Sequence, residues 1–413
     1  MSKHIVTLSR ENIQNAIEQL VKGSSLTGAP DFISLLSGKS GLVLMYAYLY
    51  QEFEKEIYFE RFSRLLDECI DMLAATPGNA TLSNGFGGLM WLIQHLINTG
   101  LLDKENEVLL DEPAAHLATA FAVDTETKNY DLLHGLMGKG LYFIESIHKP
   151  HSRQTLSQIV RCLHDWSVIQ PTGMTWIDYD FRQPIPHSQP IVYNLGMAHG
   201  VPSIISFLSH LYLLGIEQKT IRPMLEQSVR WLLTQENKDN SSWFSPLAGT
   251  GSESRLAWCY GDLGPALALL RASQALGRAD WFEKALAIAL NTTRRDITSA
   301  GVHQDQATSC LDTGFCHGTS GLSHIFYRFY EQTGETDFLR ISDYWLAETV
   351  IGKEEQSSPL LYPQYHPDTN HIHWQTDQSL LTGDAGNIMV LLSRLNPSHA
   401  HWDIIFMTHT VSV

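Results

Sequence analysis

Two kinds of helical pattern alternate along the chain. One kind is apolar nearly all round and follows a short glycine motif: LVLMYAYLY after Gly38-Lys-Ser-Gly41, LMWLIQHL after Gly85-Phe-Gly-Gly88, KGLYFIESI after Gly135-Leu-Met-Gly138, IISFLSHLYLL after Gly200-Val-Pro-Ser203, PALALLRAS after Gly261-Asp-Leu-Gly264, LSHIFYRFY after Gly318-Thr-Ser-Gly321 and NIMVLLSRL after Gly383-Asp-Ala-Gly386. The other kind carries a charged stripe: ENIQNAIEQLVKG, FERFSRLLDECIDMLAA, EVLLDEPAAHLATAF, SRQTLSQIVRCLHDW, IRPMLEQSVRWLLTQ, WFEKALAIALNTTRR and FLRISDYWLAETVIG. A helix apolar on every side belongs inside, whereas one with a charged stripe faces water. Seven of the first kind wrapped by seven of the second predict an all-α fold, an α,α-toroid of seven inner and seven outer helices.

The first glycines stand at 38, 85, 135, 200, 261, 318 and 383, so the period drifts through 47, 50, 65, 61, 57 and 65 residues as the loops vary. A closed repeat of this kind makes residues 1–413 one toroidal domain. Each apolar helix is expected to start where the backbone packs closely without Cβ atoms. Only the fourth copy, with Ser203, lacks the second glycine. Four long connections, roughly 169–195, 236–258, 295–315 and 352–381, all precede apolar helices, and loops longer than about fifteen residues are usually functional or disordered. The first of them, with TWIDYDF, has room for a short strand pair or a small insertion.

Charge narrows the partners. With 28 basic against 44 acidic side chains the net charge is −16, the wrong sign for sequence-independent binding to nucleic acid. Hydrophobic residues at 44 % and charged residues at 17 % are ordinary globular usage and exclude disordered, collagen-like and coiled-coil readings. No apolar run is long enough to cross a membrane and the first ten residues lack a secretory layout, so a cytoplasmic protein without an integral membrane segment is expected. Five cysteines, Cys69, Cys162, Cys259, Cys310 and Cys316, are too few and too scattered for a disulfide framework and fit a reducing compartment.

Aligning the copies on their first glycine changes the picture from the fourth copy onward. The preceding residues read Ala198-His199 in the fourth copy, Cys259-Tyr260 in the fifth and Cys316-His317 in the sixth. Neighbouring repeats thus offer two cysteines and two histidines at one end of the helices, and a Cys2His set with an open position is a catalytic zinc arrangement. Singly, each residue has a plainer reading as a buried thiol or a hydrogen-bonded histidine. Cys69 and Cys162 fall within amphipathic helices and are assigned to packing, while Cys310 lies outside the repeat register and is not expected to be a ligand. Asp131, His134, Arg255 and Tyr260 lie near the same end, and on spacing alone Asp131 serves equally well as a helix cap.

WCYG at Trp258–Gly261, CHG at Cys316–Gly318, AHG at Ala198–Gly200 and the repeated Gly-x-x-Gly resemble, nearly end to end, the lanthionine synthetase C family of lantibiotic cyclases. The resemblance implies an α,α-toroid with Zn2+ held by Cys259, Cys316 and His317, water or a substrate thiol completing the tetrahedron. It further implies His199 and Asp131 as acid/base residues and Arg255 and Tyr260 as active-site residues. The implied reaction is intramolecular addition of a cysteine thiol to dehydroalanine or dehydrobutyrine in a precursor peptide, giving (methyl)lanthionine rings. The implied partners are that dehydrated peptide, a dehydratase and an exporter complex, which would place the protein at the periphery of a membrane-associated assembly.

The residue types suit this chemistry. A thiol with a pKa of about 8.5 is mostly neutral at pH 7, and zinc coordination ionises it. Protonating Cα afterwards calls for an acid such as His199, oriented by Asp131, with Arg255 stabilising the enolate oxygen. Two rivals remain open. A carbohydrate-active α/α barrel would recruit carboxylates from Asp131, Asp178, Asp180, Asp262 and Asp384, but gives the in-register cysteines no task. A non-catalytic zinc-bearing binding module of the same family would keep the ligands without the reaction.

Overall fold

The computed structural model describes residues 8–24, 30–75, 79–180, 191–305, 310–354, 360–366 and 371–409. Its helices follow the two sequence patterns closely. The apolar set forms Lys39–Phe53, Phe86–Asn98, Leu136–Glu145, Val201–Leu213, Leu263–Leu276, Thr319–Thr333 and Asp384–Leu395. Burial runs around their whole circumference, as in the unbroken stretch Lys39 to Leu49. The amphipathic set forms Arg10–Ser24, Glu56–Ala75, Asp111–Thr127, Pro150–Trp166, Gln218–Leu233, Ala279–Thr292 and Thr336–Glu354. These bury one stripe, such as Leu156, Ile159, Val160 and Leu163 at helical spacing.

One boundary differs from expectation. The pattern EVLLDEPAAHLATAF reads as a single helix, but it is divided into a 3-10 segment, Lys104–Leu110, and an α-helix starting at Asp111. Pro113 accounts for the break, because its missing N–H falls in the first turn of the helix that starts at Asp111, where no intrahelical bond is lost.

The described chain divides into two compact units, each built from both helix types. One unit spans Asn79–Arg294 with Ile404–Met407, and holds four apolar and four amphipathic helices. The indole N–H of Trp258 donates to the Phe406 carbonyl at 2.7 Å there, so the tryptophan of WCYG ties in the 404–407 segment. The other unit comprises the remainder and holds three helices of each kind. In it the fully buried Asp403 accepts hydrogen bonds from Arg328 Nε and Thr408 Oγ1 and is bonded to His324 Nε2, at 2.8, 3.0 and 2.8 Å.

Three of the four long connections carry antiparallel strand pairs: Val168–Gln170 with Gly173–Thr175, Gln304–Asp305 with Cys310–Leu311, and Tyr362–His366 with His371–Gln375. The first pair runs into TWIDYDF, whose first residue, Thr175, is the last of the pair, and residues 181–190 of that connection lie outside the described residues. The 236–258 connection has no strand pair of its own. Glu253 holds it by accepting from the backbone N–H groups of Ser241 and Ser242 at 3.0 and 3.1 Å.

Each apolar helix except the fifth is entered through the same turn. The N–H of the first glycine donates to the carbonyl four residues back, at 2.9–3.2 Å in all six copies. The glycine is the residue preceding the helix, with φ between −107° and −125°. That is ordinary extended backbone. What demands glycine is contact: at Gly85 and Gly200 a Cβ would run into the carbonyl oxygens of Asn79 and Asn194, six residues earlier.

The fifth copy departs. Gly261 has φ +100°, a Cβ there would meet the Arg255 carbonyl, and Asp262 takes over as the N-cap. Replacing Gly261 with alanine is therefore expected to cost at least about 1–3 kcal/mol. Thermal denaturation should show this as a fall in Tm of several degrees, and an unchanged Tm would contradict it.

Candidate functional site

The repeated turn explains how polar side chains come to be held at the starts of the apolar helices. Six residues before the first glycine, five copies carry an Asn or Asp: Asn79, Asn129, Asn194, Asp312 and Asp377. In each, Oδ1 accepts the backbone N–H two residues on, at 3.1, 3.2, 2.9, 3.0 and 2.7 Å respectively, an Asx-turn. The second side-chain atom is used in all five: Asn79 and Asn129 donate through Nδ2 to the carbonyls of Asn84 and His134, the residues just before the glycine, at 3.5 and 3.2 Å, and the other three reach side chains. Asp312 Oδ2 bonds His317 Nδ1 at 2.6 Å, Asp377 Oδ2 accepts from Thr382 Oγ1 at 2.7 Å, and Asn194 Nδ2 donates to Asp178 Oδ2 at 2.9 Å and to the Tyr260 hydroxyl at 3.3 Å.

Asp131 performs both of the roles its spacing allows. Its Oδ1 accepts from the backbone N–H groups of Leu133 and His134, each at 2.7 Å, which is the cap. Its Oδ2 lies 2.5 Å from His199 Nδ1. Burial alone would raise the Asp131 carboxyl, but the hydrogen bond and charge of His199, with His134, hold it below the usual carboxylate range. Burial works against a charged His199, yet the hydrogen bond to Asp131 and the charges of Asp131, Asp178 and Cys259 outweigh it, so the imidazole is raised.

A second histidine lies alongside with the opposite bias. The His134 ring is 6.2 Å from that of His199 and nearly parallel, with its Nδ1 2.9 Å from Ser83 Oγ. Burial pushes His134 below the ordinary histidine range. Titratable neighbours driven apart in this way are the pattern expected of an acid/base pair, which makes this a candidate site.

Asp178 also belongs to this group, although the sequence offered it only as a carboxylate for the carbohydrate reading. Burial, with the charge of Asp131, pushes it above the usual range despite the Asn194 hydrogen bond. Tyr260 is raised as well, chiefly by burial. Arg255 is half-buried on the same connection. Two other carboxylates of that rival reading are structural. Asp262 accepts from the backbone N–H groups of Trp243 and Phe244 at 3.1 and 2.9 Å, and Asp384 from Ser24 Oγ and the Tyr362 hydroxyl at 2.7 and 2.6 Å.

The expected metal ligands fall in both units: Cys259 in the first, Cys316 and His317 in the second. Each cysteine is 9 % exposed and neither is in a disulfide. The Cys316 N–H donates to the Leu381 carbonyl at 2.9 Å, which fixes the backbone beside the thiol. His317 is oriented by Asp312, a fully buried carboxylate. Nδ1–H pointing at a carboxylate leaves Nε2 as the lone-pair nitrogen, the outer-shell arrangement usual for metal-binding histidines. Among the described residues no group of three or more His, Cys, Asp or Glu is gathered so as to hold a metal ion. The remaining cysteines behave as packing groups. Cys69 and Cys162 lie in amphipathic helices with burial raising both thiols, Cys69 to about 11, and Cys310 is buried in a short strand.

Comparison with known proteins follows the same line. The model of the family described as Lanthionine synthetase C-like protein matches residues 30–407. A curated protein of Danio rerio, "Glutathione S-transferase LANCL1", is 24 % identical over 229 residues, 53 % of this chain and 49 % of that protein. The chain thus spans about half the length of the curated relative it matches. Among solved structures, "Nisin cyclase" superimposes with a TM-score of 0.71 at 18 % identity, covering 97 % of each chain. That likeness shows the fold to be the α,α-toroid expected from the helix pattern. An unsaturated glucuronyl hydrolase specific for heparin gives a TM-score of 0.44 at 11 % identity, covering 94 % of this chain and 96 % of that one. Among the described residues no helix is long and apolar enough to cross a membrane.

Proposed function

Because the chain belongs to the lanthionine synthetase C-like family, we propose that it is a zinc-dependent lanthipeptide cyclase. It adds cysteine thiols to dehydroalanine or dehydrobutyrine of a dehydrated precursor peptide and closes (methyl)lanthionine rings. The observation that carries this reading is the His199–Asp131 pair at 2.5 Å, which biases one imidazole to hold a proton beside a second biased to release it. Cytoplasmic location and association with a dehydratase and an exporter belong to the same proposal.

Cys259, Cys316 and His317 are the residues proposed to hold zinc. Their chemistry fits, since two thiols and a histidine locked through Nδ1 are a donor set that zinc prefers and that leaves one position open. Bound there, zinc would supply ionisation of the substrate thiol near neutral pH. The substrate sulfur forms a bond to Cβ and the alkene electrons move toward the carbonyl. His199 gives its proton to Cα, regaining an equivalent from the thiol that was ionised, so no net proton is consumed. Arg255 and the Tyr260 hydroxyl are assigned to the developing enolate oxygen.

Ring closure isomerises the peptide without changing its mass, so the assay is disappearance of alkylatable thiols from dehydrated peptide. Zinc-loaded protein that leaves every thiol alkylatable would overturn the cyclase reading in favour of the binding module. The relative named as a glutathione S-transferase gives reason to include glutathione as a competing thiol. Asp312→Ala should weaken zinc binding by about 10–100-fold through loss of His317 orientation; competition with a chelator measures it, and wild-type affinity would contradict the assignment of His317.

A further inference from the structure

On the cyclase reading, we propose that Asp178 and Asn194 are positioning residues of the proton-transfer site. Asn194 bridges Asp178 to the Tyr260 hydroxyl, so one buried amide ties the carboxylate and the phenol together.

The repeat makes the arrangement legible. In the sixth and seventh copies the residue six before the glycine reaches the side chain just before the glycine in its own copy, His317 or Thr382. In the fourth copy the side chain before the glycine is His199, already held by Asp131 of the third copy. Asn194 instead reaches Tyr260, the corresponding residue of the fifth copy, and Asp178. The amide is well placed to transmit position, because its Oδ1 is fixed by the Gly196 N–H at 2.9 Å and the residue is buried. Asp178 is fixed in turn by its own N–H donating to the Val192 carbonyl at 2.8 Å.

Among the described residues, His199 is hydrogen-bonded to Asp131, lies beside the ring of His134 and feels the charges of Asp178 and Cys259. Asp178 faces Asp131, His199 and Asp180, with Tyr260 and the buried Tyr130 hydroxyl responding to its charge. Asp131 is hydrogen-bonded to His199 and sets ring orientation; Asp178 acts on it through charge. Removing the charge of Asp178 should therefore change when His199 titrates, while leaving its hydrogen bond in place.

The test uses zinc-loaded, histidine-labelled protein, with the His199 resonance assigned from His199→Asn, and follows its titration by NMR in wild type, Asp178→Asn and Asp178→Ala. In Asp178→Asn the His199 midpoint should move down, and the high-pH limb of kcat for ring closure should move down with it while KM changes little. Asp178→Ala, which also removes the acceptor for Asn194, should lose roughly a further tenfold in kcat. In the Tyr260→Phe background that further tenfold should disappear, leaving only the loss that Asp178→Asn shows. An unmoved His199 midpoint in Asp178→Asn overturns the proposal even if wild type cyclises. Wild type that fails to cyclise overturns the cyclase reading, and the NMR arm still decides the role of Asp178.

Discussion

Cys316→Ala is expected to lose both zinc and ring closure, with kcat/KM falling roughly 10³-fold or more. Removing Cys316 leaves a cysteine and a histidine, fewer protein ligands than a catalytic zinc site uses. Without the metal, a substrate thiol of ordinary pKa is only about 3 % ionised at pH 7. That factor alone costs about 30-fold, and loss of the fixed position of the sulfur costs the rest. The fold should survive, since Cys316 belongs to the turn before the helix, and its backbone bond to Leu381 does not need the thiol. Cys310→Ala is the matched control. It lies six residues earlier, buried in a strand outside the repeat register, and should keep zinc and activity. Zinc content, helical circular dichroism and thiol alkylation measure all three consequences, and a Cys316→Ala variant that cyclises at the wild-type rate would contradict the ligand assignment.

The second large effect is expected at His199. His199→Asn should keep zinc and the fold but lower kcat by about 10²–10⁴, the usual contribution of a positioned acid or base. The pH dependence follows from the direction of its shift. Burial opposes the imidazolium, but Asp131 and the neighbouring charges raise it above the ordinary histidine value. The proton donor therefore persists past the pH at which a free histidine loses its proton, and kcat falls as pH rises through the raised value. The asparagine variant should lose that limb. Stability follows the same sign. The contribution of His199 is fully present below the pKa of an unfolded histidine and is lost as pH rises through its folded value. Asp131 is lowered instead, so its contribution is present above the unfolded carboxylate pKa and is lost as pH falls through the folded value. A flat pH profile unchanged by His199→Asn would remove His199 from the reaction.

The helices were legible because the glycine motif marks the start of each apolar helix and burial around a whole circumference leaves a sequence trace. The short strands were not, since pairs such as Gln304–Asp305 with Cys310–Leu311 are too brief to show alternation. Within the site, His199 could be picked from the repeat, whereas spacing left Asp131 equally a helix cap and the family resemblance paired it with His199; the dual use of its oxygens depends on geometry. Asn194 and Asp312 carried a readable signal, an Asn or Asp six residues before the glycine. Phe32 and Arg255 at the same register in the first and fifth copies obscure it. Asp178 had no such signal. It follows a strand pair outside the register, and the bond from Asn194 brings it to the group around His199. The zinc assignment rests on the register of Cys259, Cys316 and His317 and on the carboxylate that orients His317.

The most direct test of the central claim is zinc per chain, measured by elemental mass spectrometry on wild type, Cys259→Ala and His317→Ala. About one zinc is expected in the wild type, lost from both variants with helical structure retained. A folded wild type that stays metal-free after zinc is supplied, or variants that keep their zinc, would contradict it.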